Sequence, residues 1–319
     1  MSHELSRSQD LAREVHRILL EQIDEAHAEL SGRRLSDKSI HQARKSLKKV
    51  RATLRLLRES IPDSGYRREN LALRDIGRPL SAARDASVMI ETLDKLERRY
   101  GGAATKSISA ALKKALQAEQ SRAHSGLHDS NGKHATSAAK VSTVKQRLAR
   151  IPVAESGWDE IGTSLRRAYR DGRRAMKQAS STPSAECLHE WRKRTKHLWH
   201  QMQVLEPLWP GMIAEFGDQA HQLSDYLGDD HDLAVLREKV TALQDTFKHS
   251  GNAGALLALI DQCRLQLQEK AFLLGGRIYD ESPAAFAARF ERYWERWRKE
   301  KPAGKAITLQ RPAPSKPQP

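Results

Sequence analysis

Two short basic segments recur at almost the same separation, and this limits the chain to folds built from two similar halves. His41-Gln-Ala-Arg44-Lys45-Ser-Leu-Lys48 is matched 148 positions later by His189-Glu-Trp-Arg192-Lys193-Arg-Thr-Lys196. Leu80-Ser-Ala-Ala-Arg84-Asp85-Ala-Ser-Val88 is matched 147 positions later by Leu227-Gly-Asp-Asp-His231-Asp232-Leu-Ala-Val235. Two motifs that keep their offset point to a duplicated unit rather than to chance similarity of basic segments.

The halves read as helical. Apolar residues recur at helical spacing throughout, and no run of alternating β-branched residues reads as a strand. A first helix is expected over about 9–30 with Leu11, Val15, Ile18, Leu19 and Ile23 on one side, stopped by Gly32. Ser36 caps the next, which runs towards Ser60 and ends at Ile61-Pro62. Further helices are expected over 66–80 and 85–99, broken at Pro79. Residues 103–150 carry nine Lys/Arg against Glu119 and Asp129. They read as a basic connection with helices near 107–127 and 141–150 and a loop at 128–135. The second half repeats the plan, with helices over 158–179, from a Thr182-Pro183 start to Leu205, 212–227, 232–248, 253–274 and 283–300. The expected fold is all-α: two antiparallel helical bundles, 8–102 and 151–300, related by an internal pseudo-two-fold duplication. The acid-free, Pro- and Lys-rich tail 301–319 is expected to be disordered.

A helical wheel turns the repeat into chemistry. With His41 at zero, Arg44, Lys45, Lys48 and Arg55 fall within about 60° of it, while Ala43, Leu47, Val50, Leu54 and Leu57 take the other side. Lys49 and Arg51 flank the stripe. In the second motif Arg192, Lys193, Lys196 and His200 align with His189, opposite Trp191, Leu198, Met202 and Leu205. The preceding helix adds Arg166, Arg170, Arg173 and Lys177 in one sector, with Arg167 and Arg174 beside it. On both His-bearing helices the stripe has no neutralising acid at i±4, so each face is self-repulsive without a counter-anion. Cations one helical turn apart, about 5–6 Å, suit a linear chain of phosphates. Arginine forks grip phosphate oxygens bidentately, lysines act as point charges, and histidines donate hydrogen bonds that strengthen on protonation.

Bulk charge agrees. The chain has 319 residues, a formal net charge of +15 and a pI near 9.9. That excess favours polyphosphate, nucleic acid or an anionic membrane as partner. Aromatic residues make up only 5%, against a surface that reads bases by stacking. Cys187 and Cys263 sit in no metal or redox spacing and read as buried free thiols in a reducing compartment. No apolar leader opens the chain, and the longest apolar stretch, around 253–260, is too short to span a bilayer. A cytoplasmic location is expected.

The paired His-x-x-Arg-Lys-x-x-Lys motifs, with the Arg84-Asp85 and His231-Asp232 segments in matching order, resemble the CHAD domain (conserved histidine α-helical domain) over roughly residues 8–300. The resemblance implies two helical bundles with a positively charged groove that binds inorganic polyphosphate and can direct proteins to polyphosphate granules. Carried over residue by residue, the anion contacts in the first half are His41, Arg44, Lys45, Lys48, Lys49, Arg51 and Arg55. In the second they are His189, Arg192, Lys193 and Lys196, joined by Arg170, Arg173 and Arg174. Arg166, Lys177 and His200 extend the same stripes. His197 and Trp199 replace Lys49 and Arg51 in the second motif, and His231 replaces Arg84, so one end of that half's groove is expected to be less cationic. No Glu-x-Glu-x-Lys strand of the CYTH domain, a frequent fusion partner, is present, and a stand-alone protein is expected.

Rival readings exist for the same residues. His231-Asp232 is an HD dipeptide, near His221, Asp225, Asp229 and Asp230. A metal phosphohydrolase of that type would recruit further ligands such as His200 and Asp261. Against it, the first repeat carries Arg84 at the corresponding place, and Asp85 and Asp232 serve better as helix N-caps or arginine partners. No phosphate-binding glycine loop, nucleophile elbow or zincin motif occurs. No catalytic residue, metal or cofactor is expected. Nucleic acid is the second rival: weak, salt-sensitive binding to DNA or RNA is expected, but no helix-turn-helix, aromatic platform or zinc knuckle. Third, Phe286, Phe290, Tyr293, Trp294 and Trp297 near the C-terminus offer a docking face, although their spacing equally suits packing against the bundle. Oligomeric state does not follow from the sequence.

Overall fold

The computed structural model describes residues 4–8, 10–32, 36–100, 103–128, 133–155, 157–243 and 253–300. The chain is all-α, with no strand among the described residues. The first half contributes α1 (Leu11–Leu30), α2 (Asp37–Leu56), α3 (Asp63–Gly77), α4 (Pro79–Tyr100), α5 (Ala103–His128) and α6 (Lys133–Ala149). The second contributes α7 (Asp159–Ser181), α8 (Ala185–Leu205), a 3-10 turn (Glu206–Leu208), α9 (Pro210–Ala242), α10 (Ala253–Ile278) and α11 (Pro283–Lys299). Neighbour relations repeat between the halves. α1 packs on α2 and α6, and α7 packs on α8 and α11; α4 pairs with α5 as α9 pairs with α10. The basic connection 103–150 is therefore two helices integrated with the first half. Arg147 of α6 grips the fully buried Glu69 of α3 bidentately, both contacts at 2.7 Å.

Helix ends follow capping chemistry. Asp10 caps α1 by accepting from the Arg13 N–H, and Ser36 caps α2 by accepting from Ser39. Pro79 starts α4 one residue beyond α3, so the expected break is present. Several boundaries differ from expectation: α4 begins at Pro79 rather than near 85, and α6 at Lys133 rather than 141, so residues 133–135 of the expected loop are helical. Ser184, not Thr182, caps α8, its hydroxyl accepting from the Cys187 N–H. The helices expected over 212–227 and 232–248 are one continuous α9 as far as Ala242. Gly228-Asp229-Asp230 reads locally as a breaker. Yet Asp230 is buried and accepts hydrogen bonds from Arg264 (3.1 Å) and Gln268 (2.8 Å) of α10, which hold the helix through that point. Consequently Asp232 is no N-cap but lies mid-helix. Asp85 likewise lies inside α4, its side chain outside the described set.

Two apolar cores result. The larger draws on both halves, including Val15, Ile18, Leu47, Val50, Leu54, Leu165, Tyr169, Trp191, Leu198, Phe286 and Phe290. Burying each such side chain contributes about 1.5–3 kcal/mol. Trp191 fits because Gly275 has no Cβ; one there would lie 2.3 Å from the indole ring. The C-terminal aromatics pack inward: Phe286, Phe290, Trp294 and Trp297 are buried, and Tyr293 is partly so. The second core joins α4 and α5 (Met89, Leu93, Leu96, Leu112, Leu116) to α9 and α10 (Leu233, Leu236, Val240, Leu256, Ile260). Both cysteines are free; Cys263 is buried and Cys187 only partly. No helix among the described residues is long and apolar enough to cross a membrane. The tail 301–319 and residues 129–132 of the expected loop lie outside the described residues.

Candidate anion-binding site

α2 and α8, the two His-bearing helices, meet near the ends of their cationic faces. Gln201 of α8 donates to the Ala52 carbonyl of α2 (3.3 Å), and Ala52, Leu56, His200 and Val204 are all buried there. The basic residues N-terminal to this contact face one another across the junction of the halves, hereafter the cleft, with α9 packed on α8 beside it. Lys45 and Lys48 are exposed on α2, as is His41, while Arg44 and Lys49 are partly covered. Across the cleft Arg44 is close enough to Lys196 to disfavour its charge, as Lys48 and Lys49 do for His200. The structure therefore brings together Arg44, Lys48, Lys49, Arg192 and Lys196 from helices of both halves.

The α8 side is desolvated. Burial, reinforced by Arg192 and Arg44, pushes the Lys196 ammonium down to about 8, against the opposing pull of Asp225 and Asp232. Burial, then the neighbouring His231, Lys193 and Arg192, pushes His189 down to about 4, so it is neutral at pH 7. The His189 ring lies against His231 of α9, centroids 4.1 Å apart. Arg192 lies flat on α9 because residue 228 is glycine: a Cβ there would sit 2.9 Å from Arg192 Nε and Nη2. Both His189 Nδ1 and Arg192 Nε are buried without a hydrogen-bond partner among the described residues.

Several expected site residues lie elsewhere. His200 is not on the open stripe: it is 3% exposed, bonds Gln203 Oε1 through Nδ1 (3.0 Å) and stacks on Trp199. Burial, the largest cause, takes its pKa down to about 3, so it is a neutral floor. Lys193 is ion-paired with Glu190 of its own helix. On α7, Arg173 donates to the Tyr279 carbonyl (3.0 Å) and Arg170 pairs with Asp171 (3.6 Å). Arg166, Arg174 and Lys177 are exposed on the face of α7 opposite its buried residues, away from the α2–α8 cleft. Arg51 and Arg55 face a different flank of the α2–α8 contact, beside His197 and Arg194.

Other residues of the site escape the wheel. His231, Gly228, Asp225 and Asp232 come from α9, and Lys95 from α4 pairs with Asp229 (3.4 Å) at the cleft's edge. The stripe thus has acidic neighbours supplied by tertiary contact, which i±4 counting within one helix cannot see. Burial raises Asp232 above the usual carboxylate range despite Arg192 and Lys196. The repeat that aligns His231-Asp232 with Arg84-Asp85 was the available signal for this part of α9. The metal ligands nominated with His231 are engaged otherwise: Asp261 pairs with Arg237 (2.8 Å), and His221 with Asp225 (2.8 Å). Among the described residues no three His, Cys, Asp or Glu side chains converge as a metal-binding group.

The family model of the CHAD domain matches residues 17–241. Among solved structures, the chain is similar to PptA from Streptomyces chartreusis, with 16% identity and a TM-score of 0.54, covering 89% of this chain and 99% of that one. It is also similar to the CHAD domain from the plant Ricinus communis, with 16% identity and a TM-score of 0.49, covering 91% and 93%. No curated protein matches in sequence.

Proposed function

The chain belongs to the CHAD domain family, and on that premise we propose that it binds inorganic polyphosphate in the cleft between α2 and α8, without acting on it chemically. The observation that carries this reading is the buried, unpartnered Arg192 Nε donor, with the unpartnered His189 Nδ1 and the desolvated Lys196 beside it. Buried donors and charges cost free energy until an acceptor meets them. A phosphate chain is all acceptor and all negative charge. It reaches Arg44 and Lys48 on one wall and Arg192 and Lys196 on the other. Its repeated charge also explains why cations recur along both helices instead of converging on one point. Association with polyphosphate granules follows from the same chemistry.

The test is a titration of the purified protein with long-chain polyphosphate at near-physiological salt, with duplex DNA of equal charge as competitor. Polyphosphate binding that DNA fails to displace is the expected result. Equal displacement by DNA would mean that the cleft is a generic cationic surface and that nucleic acid is the leading partner.

A further inference from the structure

The cations of α2 do not form one continuous track. Arg44 and Lys48 open onto the cleft, whereas Arg51 and Arg55 turn to a flank where α2 meets α3 and α8. There they lie beside Arg58, Arg194 and His197. Arg55 Nη1 donates to the Arg51 carbonyl (2.9 Å), and Arg51 Nε donates to Asn70 Oδ1 (3.2 Å). The Arg58 guanidinium lies 4.9 Å over the Tyr66 ring.

Neither Arg51 nor Arg55 is ion-paired with a carboxylate among the described residues. The nearby acids are committed to other arginines: Asp75 to Arg74 (2.9 Å), Glu59 to Arg167 (2.7 Å), and Asp171 and Glu190 to Arg194 (3.8 and 2.6 Å). Burial, the dominant effect on each, lowers the Arg55 pKa to about 10 and takes His197 well below its ordinary value. A neutral imidazole beside two guanidiniums that no carboxylate pairs has the composition of an oxyanion site.

We infer that Arg51 and Arg55, beside His197, form a separate pocket for a single phosphoryl dianion, supplied by the end of a polyphosphate chain or by free orthophosphate. The chain-end occupant rests on the polyphosphate reading of the cleft; the orthophosphate occupant does not. Asp75 acts on Arg51 without pairing with it, and Asp171 and Glu190 pair with the neighbouring Arg194, so a long chain continuing beyond the two arginines would meet carboxylates. A terminal phosphoryl group also offers three free oxygens and up to two charges, where an internal one offers two oxygens and one charge, and it suits guanidinium forks better.

The experiment uses the full chain and three probes: orthophosphate, long-chain polyphosphate, and the same polymer with its ends capped as phosphoramidates. Calorimetric titration should detect one orthophosphate site, and uncapped chains should bind more tightly than capped ones. The double variant R51Q/R55Q should lose about tenfold or more in orthophosphate affinity, and with it the preference for free ends, because charge-assisted bonds are removed. R44Q/K48Q should weaken long chains while leaving orthophosphate binding in place. Orthophosphate binding with no preference for free ends would assign the pocket to free phosphate. Orthophosphate binding without any binding of long chains would sink the cleft reading and keep the pocket. Unchanged orthophosphate affinity in R51Q/R55Q, or a wild-type chain with neither orthophosphate binding nor end preference, overturns the inference. If the double variant does not fold, R55K, which keeps the charge and loses the fork, gives the same reading on orthophosphate.

Discussion

The same four-residue pattern of histidine, arginine and lysines sits on α2 and on α8, yet the two helices present different chemistry. Lys45 and Lys48 on α2 are exposed to solvent. On α8 the matching region lies under α9. Lys196 is held down to about 8, and His189 to about 4. α2 offers charge at little desolvation cost, whereas α8 offers groups whose charge is worth most once an anion replaces the lost water. Matching motifs therefore do not imply matching roles, because solvent access is decided by neighbouring helices and not by the motif.

Charge reversal tests that contrast most severely. Arg192→Glu/Lys196→Glu should weaken long-chain polyphosphate binding by about a thousandfold, since buried charge contacts are worth about 2–5 kcal/mol. Arg44→Glu/Lys48→Glu should cost nearer tenfold to a hundredfold, because exposed pairs contribute about 1 kcal/mol or less each. Equal losses in a titration would remove the asymmetry. Raising the pH should act next. Free Lys196 gives up its proton around pH 8 and must regain it to meet the anion, so affinity should fall about tenfold or more between pH 7.5 and 9.5. Lys196→Arg should flatten that slope, and Lys48→Arg should leave it intact. Gly228→Ala should push the Arg192 guanidinium off α9 and weaken binding several-fold, with little change in melting temperature.

A smaller effect lies in stability without ligand. The unfolded chain keeps the Lys196 proton up to about pH 10.5 and the folded chain only to about 8, so this group opposes folding below pH 8 and ceases to as pH rises through 8 to 10.5. Lys196→Met should accordingly raise the melting temperature at pH 7 by about 2–4 °C, and Lys45→Met should not. The smallest expected change is in Arg166→Glu/Lys177→Glu on the outer face of α7, about twofold in polyphosphate affinity, through the long-range field alone.

The all-α class, the repeat and most helix limits are legible in the sequence because apolar spacing and capping residues act locally. So is the opposition of cationic and apolar faces on α2 and α8. What is not legible is where those helices meet. Ala52 and His200 both fall on the cationic side of their wheels, and only tertiary contact buries them. The acids of α9 are missed for the same reason: Asp225 and Asp232 reach Lys196 across a helix interface. The continuity of α9 is hidden too, because Gly228-Asp229-Asp230 has the local composition of a turn. Arg264 and Gln268, over thirty residues on, answer the buried Asp230.

The second core has a further consequence. Met89, Leu93 and Leu96 of the first half are covered by Leu233, Leu236 and Val240 of the second, so neither half can bury these side chains alone. The two repeats are therefore one cooperative unit in thermodynamic terms: separating them exposes apolar surface from both at once, and a ligand that clamps the cleft stabilises both together.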